Sequence, residues 1–94
     1  MTRSSLHSLL ERVRSAEKAD SATDIAVDIA LFEPDSEFVS VRSNAAGTKL
    51  VYARRDGSTS AYWPEDHTLN SMTRANAIAL LSAKLSMEED NAEA

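Results

Sequence analysis

At 94 residues and a net charge of -5, the chain suffices for a single domain and is ill suited to simple binding of nucleic-acid phosphate. Its apolar and aromatic content, 43%, is too high for compositional disorder. It has no cysteine, which excludes disulfides and thiolate zinc sites, and no apolar run near the roughly 20 residues that span a bilayer.

The first element is the clearest. Leu6, Leu9, Leu10 and Val13 recur at i, i+3, i+4 and i+7, which predicts an amphipathic helix over 5–19 with Ser4 or Ser5 as its cap. Charges are scattered through this segment, unlike a signal peptide, and the expected location is the cytoplasm. Residues 21–33 carry two patterns. Ile25, Val27, Ile29 and Leu31 alternate as in a strand, while Ile25, Ile29 and Phe32 with three alanines fit a helix face. The pair Ser21 and Asp24 resembles a capping box, alanine favours helix, and Pro34 supplies a stop. A second helix is expected.

A β region follows. Phe38, Val39 and Val41 mark a first strand, 44–47 a turn, and 50–54 a second strand. Asp56-Gly57 is a signal for a two-residue type I′ hairpin, and 58–63 is the third strand. That loop sets Leu50 opposite Trp63, Tyr52 opposite Ala61 and Val51 opposite Tyr62. Pro64 ends the strand. Asn70 or Ser71 then caps a last helix over 72–87, whose buried face is expected to hold Ala75, Ile78, Ala79, Leu81 and Leu85, widened by Leu80 and Ala83. The expected fold is α+β: three helices packed on a three-stranded antiparallel sheet, in the order ααβββα. Residues 1–87 form one domain and 88–94 an acidic, disordered tail. The expected core is Leu9, Leu10, Val13, Ile25, Ile29, Leu50, Trp63, Ile78, Leu81 and Leu85.

Residues that carry chemistry are few. There is no Gly-rich phosphate loop and no GxSxG elbow. His7 and His67 lack metal-ligand spacing. His67 stands beside Glu65 and Asp66, where a histidine–carboxylate pair could act as a base, but a polar loop histidine is the plainer reading. Arg42, Arg54 and Arg55 near Tyr52, Tyr62 and Trp63 make at most a sparse nucleic-acid platform. No catalytic residue, cofactor or metal is expected, and the chain reads as a non-enzyme.

The acids are more informative. Residues 20–37 hold Asp20, Asp24, Asp28, Glu33, Asp35 and Glu37 without one Lys or Arg. Asp20, Asp24 and Asp28 stand at i, i+4 and i+8, so a helix lines up their carboxylates about 6 Å apart. Like charges at this spacing cost a few tenths of a kcal/mol. The stripe is either a solvated face or a docking surface. These six residues are therefore the candidate partner-binding site, aimed at the basic groove of a nucleic-acid-binding protein complex.

SLHSLLERVRSAEKADSATDIAVDIALF and YWPEDHTLNSMTRANAIALL resemble the opening and the ending of small bacteriophage proteins of the phage α-β-α (ABA) sandwich type. The resemblance implies a phage or prophage origin and an accessory role, and it carries over no catalytic residue. Two functions follow as expectations. One is an acidic inhibitor of a host defence complex, of the anti-CRISPR kind, acting in the host cytoplasm. The other is a phage structural or assembly module that acts by self-association. A contiguous exposed apolar patch would mark the second.

Overall fold

The computed structural model describes residues 3–93, and the side chains of 5–87. Its elements are α1 (Arg3–Ser15), α2 (Ser21–Leu31), β1 (Phe38–Ser43), β2 (Leu50–Arg54), β3 (Thr59–Tyr62) and α3 (Ser71–Glu93). The order is ααβββα, with one antiparallel sheet in the order β1-β2-β3. This is the expected α+β architecture.

Residues 21–31 are helical despite their strand-like alternation. The start differs by one residue from the expected box. Asp20, not Ser21, is the cap: its carboxylate accepts from the N–H groups of Ala22 and Thr23 and from the Thr23 hydroxyl at 2.7 Å. α1 ends at Ser15, earlier than expected, and Ala16 N–H closes it on the Val13 carbonyl. It is already helical at Arg3, so neither Ser4 nor Ser5 caps it. At α3, Asn70 and Thr73 cap reciprocally. Asn70 Oδ1 accepts from Thr73 N–H at 3.0 Å, and Thr73 Oγ1 accepts from Asn70 N–H at 3.1 Å. The α3 backbone continues as helix through the first residues of the expected tail, over 88–93. The side chains of that tail lie outside the described residues.

The main core lies between helices. Leu6, Leu9, Leu10 and Val13 of α1 meet Val27 and Ala30 of α2 and Ala77, Leu81 and Leu85 of α3. A fully buried Leu or Val contributes about 1.5–3 kcal/mol, so this cluster is the principal apolar stabilisation. The sheet adds buried Leu50. Its inner face carries an aromatic group in which the Tyr52 ring lies 6.0 Å from Phe32, 5.2 Å from Phe38 and 5.6 Å from Tyr62.

The β2–β3 hairpin corrects the expected register. Leu50 pairs with Tyr62, Val51 with Ala61 and Tyr52 with Ser60, one residue away from the pairing that a two-residue loop imposes. The loop is three residues long. Gly57 N–H bonds back to the Arg54 carbonyl at 3.0 Å, and Arg54 N–H to the Ser58 carbonyl at 2.8 Å. A type I′ turn needs positive φ at both central residues, and here only Gly57, at 90°, has it. Side chains alternate with period two, so a slip of one residue moves each to the opposite face. Trp63 therefore leaves the core. It is 69% exposed on the outer face, with Lys49 Nζ 4.6 Å from its ring. Ile29 and Ile78, also expected in the core, are only partly buried.

Gly57→Ala tests this turn. No atom lies within 4 Å of the position its Cβ would take, so the cost is backbone strain alone. A loss of about 1–2 kcal/mol is expected in urea unfolding. Gly57→Asn should lose less, because Asn tolerates positive φ.

Candidate functional site

Two of the three aspartates of the α2 stripe, Asp24 and Asp28, face inward. Helical spacing aligns Asp20, Asp24 and Asp28 along one side, as the sequence suggests, but that side receives the β3–α3 loop of the same chain. Asp24, only 4% exposed, accepts from His67 N–H at 2.9 Å and from the Thr68 hydroxyl at 3.0 Å. Asp28 Oδ2 accepts from Glu65 N–H at 2.9 Å, and Asp28 Oδ1 lies 2.7 Å from His67 Nε2. Asp20 caps α2, and its own N–H donates to Thr68 Oγ1 at 2.7 Å. The Asp24 and Asp28 carboxylates thus meet backbone N–H groups, a hydroxyl and an imidazole on a loop about 40 residues away, a gap that costs little extra loop-closure entropy, and Asp20 reaches the same loop through its backbone N–H. Arg74 Nε donates to the Thr68 carbonyl at 3.1 Å and ties the loop to α3 as well.

This geometry removes Asp24 and most of Asp28 from the expected docking surface. Asp24 is buried, Asp28 is only partly exposed, and Asp20, although exposed, is committed to the cap. Like-charge repulsion along the stripe is offset by charge-assisted hydrogen bonds, each about 1.5–3 kcal/mol. Glu33, Asp35 and Glu37 are exposed as well. Glu33 lies 3.5 Å from Lys84, Glu37 lies 3.8 Å from Arg54, and Asp35 Oδ1 accepts from Glu37 N–H and Phe38 N–H in the turn before β1.

The loop histidine is more than an ordinary one. His67 is 8% exposed, and its partner is Asp28 rather than its neighbours Glu65 and Asp66. The hydrogen bond to Asp28 raises its pKa above the usual value, against the opposing effect of burial. The Thr23 hydroxyl does the reverse at Asp20, holding its carboxyl below the usual range. Asp28, Glu65 and His67 each bring one ligand atom, and these atoms lie within 4.8 Å of one another. Nothing in the local sequence signals this group, because Asp28 belongs to a different element from the other two.

Comparison with protein families, curated proteins and solved structures finds no match. The sparse basic and aromatic platform does not assemble either. Tyr52, Tyr62 and Arg54 lie on the inner face of the sheet, whereas Trp63 and Arg42 lie on the outer one.

The outward side of α3 is the other feature a reader of the sequence would miss. Met72, Ala75, Ala79, Leu80, Ala83 and Met87 are exposed, with Met72 at 80% and Met87 at 65%. No exposed residue between Ser71 and Met87 is charged, in a chain that is 27% charged. Of the expected buried positions, Leu81 and Leu85 are in the core, joined there by Ala77, whereas Ala75, Ala79, Leu80 and Ala83 belong to the outward side. Surface helices ordinarily set a polar face opposite the core. Among the described residues no helix is long and apolar enough to cross a membrane.

Proposed function

We propose that this protein is a non-enzymatic assembly or accessory module of a phage or mobile element, acting by self-association through the outward side of α3. The observation that carries the reading is the run of about four helical turns with an exposed, uncharged surface rich in Met, Leu and Ala, in which Ser71, Asn76 and Ser86 are the polar residues. Small residues let two helices approach to about 8 Å, and Met and Leu fill the gaps between them. A face that pairs with its own copy needs no complementary sequence, and two-fold pairing is the commonest closed assembly. An uncharged contact also spares two chains of net charge -5 the burial of like charges. The resemblance to phage ABA sandwich proteins supports the phage setting. The inhibitor alternative loses its main support, because the aspartates that would have imitated phosphates are bound within the chain.

The test is the oligomeric state of the full chain by sedimentation equilibrium, compared with Leu80→Glu. Leu80 is 48% exposed, so the charge is accommodated in the monomer. The expected result is a concentration-dependent dimer for the natural chain and a monomer with an unchanged circular dichroism spectrum for the variant. A natural chain that stays monomeric to its solubility limit overturns the reading.

A further inference from the structure

We propose that Asp28, Glu65 and His67 form a binding site for a divalent transition-metal cation, with zinc the best fit. The donor set is one imidazole nitrogen and two carboxylate oxygens, a combination that suits borderline cations such as Zn2+ and Co2+ better than Mg2+ or Ca2+. The three ligand atoms already lie within 4.8 Å of one another. Tetrahedral zinc, with bonds of about 2.0–2.1 Å, sets its ligand atoms about 3.4 Å apart. Opening the 2.7 Å contact between His67 Nε2 and Asp28 Oδ1 slightly, while Glu65 swings inward, reaches that spacing. Glu65 is exposed, so its movement is free and solvent supplies a fourth ligand.

Two features of the surroundings prepare these residues. Asp28 Oδ2 is held by Glu65 N–H, which leaves Oδ1 for the ion, and His67 N–H is held by Asp24. Such outer bonds fix the orientation of metal ligands. The charge also calls for a cation. Asp24, Asp28 and Glu65 gather here, and among the described residues no Lys or Arg forms an ion pair with any of them. On binding, His67 Nε2 gives up its proton, to solvent from the imidazolium or to Nδ1 from the neutral ring, and the cation takes its place against Asp28. The ion would then tie α2 to the β3–α3 loop more strongly than the hydrogen bond does. The site shares no residue with the outward side of α3, so either proposal stands if the other fails.

The experiment is titration of the tag-free full chain with Zn2+ by calorimetry, with Co2+ as a spectroscopic probe. The expected result is one Zn2+ per chain, a raised melting temperature, and visible Co2+ absorption of the low-coordinate kind. Glu65→Gln keeps the backbone N–H that Asp28 uses, so it leaves the metal-free fold intact and should weaken Zn2+ roughly tenfold or more. His67→Gln combined with Glu65→Gln should abolish binding, while His7→Gln, at an exposed position on α1, should leave it unchanged. No saturable binding by the natural chain overturns the site, as does equal affinity in Glu65→Gln or loss of binding in His7→Gln.

Discussion

Asp24→Ala should destabilise the protein by about 2–4 kcal/mol, although the residue is an aspartate on a helix with two other acids on the same side. The reason is what its removal leaves behind. His67 N–H and the Thr68 hydroxyl both donate to Asp24 Oδ1, and both His67 and Thr68 are buried. An unsatisfied buried donor costs about 1–3 kcal/mol. Two are created, and neither has another acceptor as well placed. Asp24→Asn keeps an acceptor oxygen and removes only the charge, so it should lose less than half as much. Urea unfolding of the three proteins measures the losses, and amide hydrogen exchange at His67 locates them. A solvated acidic stripe predicts instead that both substitutions are neutral or stabilising, through relief of like-charge repulsion. An Asp24→Ala cost below about 0.5 kcal/mol would return that reading.

The second large effect is pH-dependent and has a definite sign. His67 has its pKa raised in the folded protein, chiefly by the hydrogen bond to Asp28. A raised value means that the folded state holds the proton more tightly than the unfolded chain. The resulting stability is present in full below the ordinary histidine value of 6.5 and is lost as pH rises through the higher folded value. With a chelator present, the unfolding midpoint should therefore fall as pH is raised from 6 towards 9. His67→Gln should flatten that limb. Asp28→Ala should cost about 3 kcal/mol at pH 6, because removing one partner of a largely buried pair leaves the other uncompensated. Acid brings the opposite dependence from Asp20, whose carboxyl is held low by the Thr23 hydroxyl, so its contribution fades as pH falls below 3.8. A His67→Gln protein with the same pH profile as the natural chain would remove His67 from the account.

Much of the fold was legible in the residues because local physics decides it. The Leu6, Leu9, Leu10 and Val13 stripe allows only one helical face to be buried, and all four are buried. The helix at 21–31 could be chosen over a strand because three alanines and a capping-box pattern at its start act locally, although the cap is Asp20 and not Ser21. The sheet order follows from short connections, which leave consecutive strands adjacent. Asp56-Gly57 announced a hairpin, yet the same dipeptide serves a two-residue loop or a three-residue one. The two differ by one residue in register, and that difference put Trp63 on the outer face and Tyr62, 48% exposed, on the face that carries Leu50 and Tyr52.

The sequence by itself determined the elements, their order, the α1 stripe and the existence of an acidic row on α2. Only the tertiary structure decided what that row faces. Spacing along a helix shows which carboxylates share a side, but whether that side meets water, a partner or the chain itself depends on contacts across 37 to 48 residues. The partners are two backbone N–H groups, a threonine hydroxyl and a histidine, none of which has a spacing rule relative to Asp24 and Asp28. The same limit applies to α3. Its central turns are apolar on both sides, so periodicity placed Leu81 and Leu85 in the core but could not exclude Ala75, Ala79, Leu80 and Ala83, which the packing of α1 against Ala77, Leu81 and Leu85 left outside.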